Sequence, residues 1–449
     1  MPTLALLLFT LLSAVPGSET KPLVLTHVTL IDMTGSPPSA DTTVVITGDR
    51  ISNIGKSGAV RIPKDATVID ASGKFLIPGL WDMHVHLSLA TRSSLSVLVA
   101  NGITGVRDMG GDLTEIDRFR DAIANRSLVG PHIYRAGPVV DGPKEAEYRL
   151  TITTPSEARQ AVLRLKAQQV DFIKVHNAIP RDAYVALMDE AQKQGLTVSG
   201  HIPAGMTAAE VSDMGQRTIE HTESLMEFPM AQAAKHTKEP KEIFAETVDA
   251  YDDAHAQELF QRFKRNGTWF VPTLVEYRSF AYRADLVKEP DPRNKYVPSS
   301  LRKYWENTFP VRGGPEAYAA RKMMLAKLET LVVQMYKQGV PLMTGSDLGA
   351  RDIYPGFSLH DELALLVDAG LTPMAALQAA TVMPAKFLGK EDLYGTIKIG
   401  KIADLVLLDA NPLDSISNTQ TIRAVIMNGS YVGRDELDKM LDVAATATR

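Results

Sequence analysis

Six side chains able to bind or activate a divalent cation recur at separate stations along this chain. In Asp82-Met83-His84-Val85-His86 two histidines are spaced by two, which puts both on one face of an extended strand. Lys174 sits in the apolar run Phe172-Ile173-Lys174-Val175-His176, His201 follows Gly200, His221 follows Glu220, and Asp347 closes Thr344-Gly345-Ser346-Asp347. Any one histidine alone reads more simply as a hydrogen-bonded core residue. Brought together, four imidazoles and a carboxylate make a site of zinc, manganese or cobalt type. Lys174 calls for separate treatment, because a buried ammonium tends to lose its proton. The neutral amine can take up CO2 as a carbamate, whose two oxygens could bridge two ions. The plainer alternative is an ion pair of Lys174 with Asp171 or Glu190. His176 shares the face of Lys174 and reads as a substrate contact rather than a ligand.

These residues can meet only if the elements carrying them are arranged around a common axis. Strand-like segments fall at Trp81–His86, Gly105–Asp108, Ile133–Gly137, Phe172–His176, Thr197–His201, Thr218–His221, Trp269–Leu274 and Pro341–Ser346. Helical stretches such as Pro155–Gln168, Arg181–Gln194 and Glu316–Lys337 lie between them. This alternation predicts an α/β fold, a (β/α)8 TIM-like barrel over residues 78–393, with its chemistry at the C-terminal strand ends. Each of the six residues ends or nearly ends such a strand. Residues 22–77 and 394–433 are β-rich and too short to stand alone, so they are expected to pair as one composite β-sandwich. Residues 275–315 form a long connection rich in aromatic residues and proline, read as a lid or substrate wall.

Composition narrows the classes. The 449 residues carry 48 Lys+Arg against 53 Asp+Glu, a net charge of −5, which argues against electrostatic capture of nucleic acid. With no cysteine, disulfides, thiolate zinc sites, iron–sulfur clusters and a Cys nucleophile are excluded. Leu4 to Leu12 is a nine-residue apolar run suited to a signal peptide over residues 1–20, hence a periplasmic or secreted protein. The alternative is a buried N-terminal segment of a cytoplasmic one. No other run approaches the ~18 apolar residues of a membrane span.

The segment Pro78-Gly79-Leu80-Trp81-Asp82-Met83-His84-Val85-His86 resembles the first-strand signature of the amidohydrolase superfamily, within its imidazolonepropionase-like branch of prolidase and Xaa-Arg dipeptidase types. Asn101 to Asp108, Phe172 to Val175, Gly200-His201, Ile219-Glu220-His221, Thr344 to Asp347 and Gly400 to Val406 extend the likeness over about residues 22–433. Gly-Ser-Asp stands where Gly-Thr-Asp is commoner. The resemblance implies two divalent ions, zinc first, with manganese or cobalt as alternatives. It assigns His84, His86 and Asp347 to one ion, His201 and His221 to the other, and Lys174 as an N6-carboxylysine bridge. It further implies amide hydrolysis by a metal-activated hydroxide, with Asp347 as general base and acid. The expected substrate is a dipeptide or N-acyl amino acid, its carboxylate met by Arg149 with Tyr148, or by Arg351. Rival readings are hydrolysis of a cyclic amide, lactone or organophosphate at the same site, or a non-catalytic binding protein of this fold. The expected partners are a small molecule and further copies of the chain, with no nucleic acid or membrane.

Overall fold

Aliphatic residues recurring through Leu23–Leu30 bury Leu23, Leu25, Val28 and Leu30 in one core with Val44, Ile46, Leu405, Leu407 and Ile426. The two ends of the chain therefore share a hydrophobic face that neither could bury alone. The computed structural model describes residues 21–143, 148–237, 239–310 and 314–447; residues 1–20, where the signal peptide is expected, lie outside the described residues. Both ends contribute to one eight-stranded sheet. Its order runs Ser430–Gly433, Ile422–Met427, Leu405–Leu408, Phe75–Pro78, Leu23–Leu30, Ser39–Thr47, Arg50–Lys56, with Thr67–Asp70 also paired to Leu23–Leu30. The seam is antiparallel, with Val406 opposite Ile77 and Leu407 opposite Leu76. The two ends join as expected in one connected ladder, a composite sheet around one core.

Between these ends the chain alternates strands and helices, in parallel ladders. One sheet has three strands, Leu80–Val85, Ile103–Asp108 and His132–Arg135. The other has six, in the order Arg149–Thr151, Val139–Asp141, Ile173–Val175, Val198–Gly200, Thr218–Glu220, Trp269–Val271. The closed eight-stranded barrel expected from the sequence is thus not one continuous ladder. It opens in two places, between His132–Arg135 and the six-stranded sheet, and at the eighth expected strand, where the reason is local. In residues 341–347, Met343 N–H donates to Phe270 O and Asp347 N–H to His84 O, but Thr344 N–H goes to Ala379 O. Ser346 N–H goes to the Asp82 carboxylate at 2.9 Å. Two donors that a strand would spend on its neighbours are taken by other groups, leaving single bridges such as Phe270 with Leu342 and Val85 with Leu348. Val139–Asp141 and Arg149–Thr151 are strands that the alternation did not predict.

Helices follow their capping signals. Pro155–Ala167 begins at a Thr154/Glu157 capping box, and Arg181–Gln194 ends at Gly195 with φ +65°. The connection over 275–315 is helical rather than extended loop: Leu274–Ala281, Arg283–Leu286, a 3-10 turn Pro292–Tyr296, and Ser299–Thr308. Among the described residues no helix is long and apolar enough to cross a membrane.

Candidate metal centre

The strands Leu80–Val85, Ile173–Val175, Val198–Gly200 and Thr218–Glu220 deliver His84, His86, Lys174, His201 and His221 to one end of the parallel ladders. The 341–347 segment adds Asp347. His84 Nε2 lies 3.3 Å from Asp347 Oδ1, His86 Nε2 lies 3.4 Å from the same oxygen, and Lys174 Nζ lies 3.4 Å from His84 Nε2. Ring centroids are 4.6 Å apart for His84 and His221, and again for His201 and His221. Ligand atoms of His84, His221 and Asp347 all fall within 4.8 Å of one another. Close approach here depends on Gly345, where a Cβ would stand 2.8 Å from His84 Cβ and 2.6 Å from Val271 Cγ1.

The outer nitrogens of three histidines are already committed. His84 Nδ1 is held by Glu220 Oε2 at 3.1 Å, His86 Nδ1 donates to Gly110 O at 3.0 Å, and His221 Nδ1 pairs with Thr273 Oγ1 at 2.8 Å. Each tether fixes a ring orientation, as acceptors behind metal-binding imidazoles commonly do. Burial, then the positive charge of Lys174, holds His84 well below its usual pKa. Burial brings His221 down to about 4. Both imidazoles are therefore neutral, the form that has a lone pair to give. Asp347 would be raised by burial, but the His86 hydrogen bond and the neighbouring Lys174 charge hold it at about 2. Neutral imidazoles converging on an ionised carboxylate fit a divalent cation.

Lys174 is 1% exposed, and burial lowers its pKa to about 8 despite Glu220 and Asp347 nearby. The ion pairs offered as its alternative do not form. Asp171 accepts from Arg135 N–H at 2.9 Å, and Glu190 accepts from Gln194 at 2.8 Å. A set of charged residues behind the cluster escaped the sequence reading. The Arg107 guanidinium donates to both oxygens of Glu220 at 2.8 Å and to Met83 O at 2.7 Å, which fixes the carboxylate that holds His84. Asp82 accepts from Ser346 Oγ at 2.5 Å and from His84 N–H at 3.2 Å, tying the Asp347 turn to the first strand. A charged side chain inside an apolar strand, the signal that drew attention to Lys174, would have found Arg107 and Glu220 too. His221, Thr273 and Asp347 have φ of +65°, +46° and +60°. Such left-handed non-glycine residues cost on the order of 1–3 kcal/mol each and tend to gather at working sites.

A cavity of about 580 Å3 opens over the cluster, lined by Lys174, His201, His221 and Asp347 together with Tyr148, Arg149 and His176. His176 stacks on His201 with centroids 4.1 Å apart and points Nδ1 to Asp141 Oδ2 at 3.4 Å. Arg149 NH1 is 3.1 Å from the same Asp141 oxygen. Arg351 is placed differently from its expected role at the mouth. Its NH1 donates to Phe309 O at 2.9 Å, and Trp305 Nε1 donates to Gly349 O at 2.9 Å, so these two side chains fasten residues 299–310 to the Asp347 loop. From that segment Tyr304, Thr308 and Phe309 face the cavity, whereas Trp305 is buried and Tyr296 stacks on Phe357.

Comparison with known proteins bears on the fold and the family. The ochratoxinase of Aspergillus niger is 23% identical over 78% of this chain and 73% of its own length. Among solved structures, a bottromycin amidohydrolase superposes with a TM-score of 0.76 at 22% identity, covering 96% of this chain and 91% of that one. A Xaa-Pro dipeptidase with bound methionine gives 0.69 at 21% identity, covering 92% of this chain and all of that one. The family model described as amidohydrolase family matches residues 75–432, from the composite sheet through every residue of the cluster, and the chain belongs to that family of hydrolases acting on amide carbon–nitrogen bonds.

Proposed function

We propose that this enzyme hydrolyses an amide bond in a small substrate, a dipeptide or N-acyl amino acid. His84, His86 and Asp347 would hold one divalent ion, His201 and His221 a second, with Lys174 between them. Zinc is the first choice, with manganese or cobalt as alternatives. The observation that carries the reading is that three imidazoles are tethered through Nδ1 to Glu220, Gly110 and Thr273, which fixes their rings around Asp347. Bound there, such ions polarise a carbonyl and acidify water at neutral pH.

The protein's own groups complete the reaction. Asp347, ionised at neutral pH, accepts the proton of the attacking water and passes it to the leaving nitrogen as the carbon–nitrogen bond breaks. Arg149, fixed by Asp141 and facing the cavity, receives the substrate carboxylate. As its neutral amine Lys174 would add CO2 and release one proton, and the resulting N-carboxylate would supply a negatively charged ligand to the ions. As an ammonium it would instead repel both cations. Its low proton affinity supports that chemistry. The test is metal analysis of the purified protein alongside a panel of dipeptides and N-acyl amino acids. About two ions per chain and turnover of one of these classes is the expected result. A protein free of tightly held ions, or one inert to the whole panel, would refute the reading.

A further inference from the structure

The cavity over the cluster has an apolar wall that the reaction just described does not use. Leu89, Tyr304 and Phe309 are each half-buried. One side of each packs into a cluster with Leu301, Trp305 and Tyr354, and each also lines the cavity. They come from distant stretches of chain, the helix Leu87–Ala90 just past His86 and the segment 299–310, so only the fold brings them to one wall. Apolar side chains left uncovered together along a concave site are the surface that a ligand's own apolar group covers. The wall is held in place. Tyr304 and Phe309 meet edge to face, with centroids 5.9 Å apart. Arg351 NH1 donates to Phe309 O at 2.9 Å and Trp305 Nε1 to Gly349 O at 2.9 Å, which ties the wall to the turn carrying Asp347. Gly349, with φ +132°, keeps the floor low, since a Cβ there would stand 3.0 Å from His86 Cβ and 3.3 Å from Leu89 Cδ1.

The wall adjoins the group that receives the substrate carboxylate. Tyr304 lies close enough to act on the Arg149 charge, and both residues line the same cavity. In the leaving residue of a dipeptide, carboxylate and side chain branch from one carbon, so a carboxylate on Arg149 brings the side chain to this wall. We infer that Leu89, Tyr304 and Phe309 form the pocket for the leaving residue's side chain, and that the enzyme prefers a leaving residue that is large and uncharged, branched aliphatic or aromatic. Covering the wall with an apolar chain is favourable, whereas a charged one would be desolvated without a partner. The charges of the described cavity are committed elsewhere. Arg149 takes the carboxylate, and Asp347 is engaged by His84 and His86. Glu223 and Glu276 hydrogen-bond each other, and Arg351 points to the carbonyls of residues 305 and 309. This inference rests on the amide-hydrolase reading above and deepens it by naming the leaving residue.

The probes are glycyl-phenylalanine, glycyl-glycine and glycyl-lysine, which share one acyl group and differ in the leaving side chain. Wild-type kcat/KM should be at least about tenfold higher for glycyl-phenylalanine than for either of the others. Phe309→Ala should erase most of that ratio at wild-type metal content, and Tyr304→Ala, the milder change, should lower it a few-fold. Arg351→Ala, which unties Phe309 from the Asp347 turn, should lower it in the same direction. Equal or better turnover of glycyl-glycine or glycyl-lysine by the wild type would overturn the pocket, as would Phe309→Ala and Tyr304→Ala proteins that keep the wild-type ratio. Loss of metal in these variants, with all three substrates failing together, would overturn it too, by making the wall a support of the metal centre. If the wild type hydrolyses none of the three, the hydrolytic reading fails at these dipeptides and melting shifts judge the pocket by itself. Free phenylalanine should then raise the wild-type Tm more than glycine or lysine does, and the excess should vanish in Phe309→Ala. Equal or absent rises remove the pocket.

Discussion

The interior of the composite sheet and the base of the strand-end cluster are both buried, yet they are built from opposite materials. In the sheet, Leu25, Val28, Val44, Leu76, Leu405 and Ile426 fill the interior, and nothing ionisable is needed. At the cluster, Arg107, His84 and Glu220 are 0% exposed and Lys174 is 1% exposed. Burying charge costs stability unless every group is paired. Here Arg107, Glu220 and Asp82 are hydrogen-bonded behind the cluster, and a cavity opens in front of it. The difference separates residues kept for cohesion from residues kept for reactivity, and it makes the two regions fail in different ways.

The largest loss should follow His84→Ala with His86→Ala. Metal content should fall from about two ions per chain to at most one, and kcat/KM by at least ~10³-fold. Circular dichroism should remain native, and two tightly held ions in this variant would break the contrast. In the metal-free wild type, His84 and His221 are held below the unfolded value, so the unfolded chain takes up protons first as the pH drops. Stability should be intact above about pH 6.5 and fall progressively toward pH 4, the direction set by both depressed values. A melting temperature flat over that interval would contradict it.

Lys174→Arg comes next. A guanidinium stays protonated and cannot form a carbamate, so this variant should be as inactive as Lys174→Ala and should lose one or both ions. Short carboxylic acids should restore part of the activity to Lys174→Ala. Near-normal turnover with arginine would reduce Lys174 to a structural cation.

Leu25→Ala tests the other region. It is fully buried in the composite sheet, so denaturant unfolding should show a loss of about 2–5 kcal/mol while kcat and metal content hold. A matching drop in kcat would show that the two regions are not separable. The smallest effects belong to the cavity wall. Asp141→Asn removes the charge that fixes Arg149 and His176 and should raise KM about tenfold with little change in kcat. Tyr304→Ala should shift KM by only a few-fold, and no change across several dipeptides would leave that ring as packing.

Much of this was legible in the sequence because strand ends concentrate chemistry. His84 and His86 two apart, and Lys174 inside an apolar run, pointed at one site that the fold does assemble. What the sequence hid has physical causes. Arg107 and Glu220 lie 113 residues apart, and only their meeting behind His84 gives either a role. Arg351 was placed by its nearness to Asp347, but its donors point back to the carbonyls of residues 305 and 309. The eighth strand was predicted from apolar residues alone, which cannot reveal that Asp82 and Ala379 take its hydrogen bonds.

The seam of the composite sheet also sets a schedule. Phe75–Pro78 pairs with Leu23–Leu30 on one side and with Leu405–Leu408 on the other. During synthesis the first neighbour is present at once, whereas the second emerges more than three hundred residues later. At roughly 5–20 residues per second, that open edge waits on the order of half a minute. An unpaired edge is an invitation to other chains. It stays open while the ribosome works through the residues of the strand-end cluster.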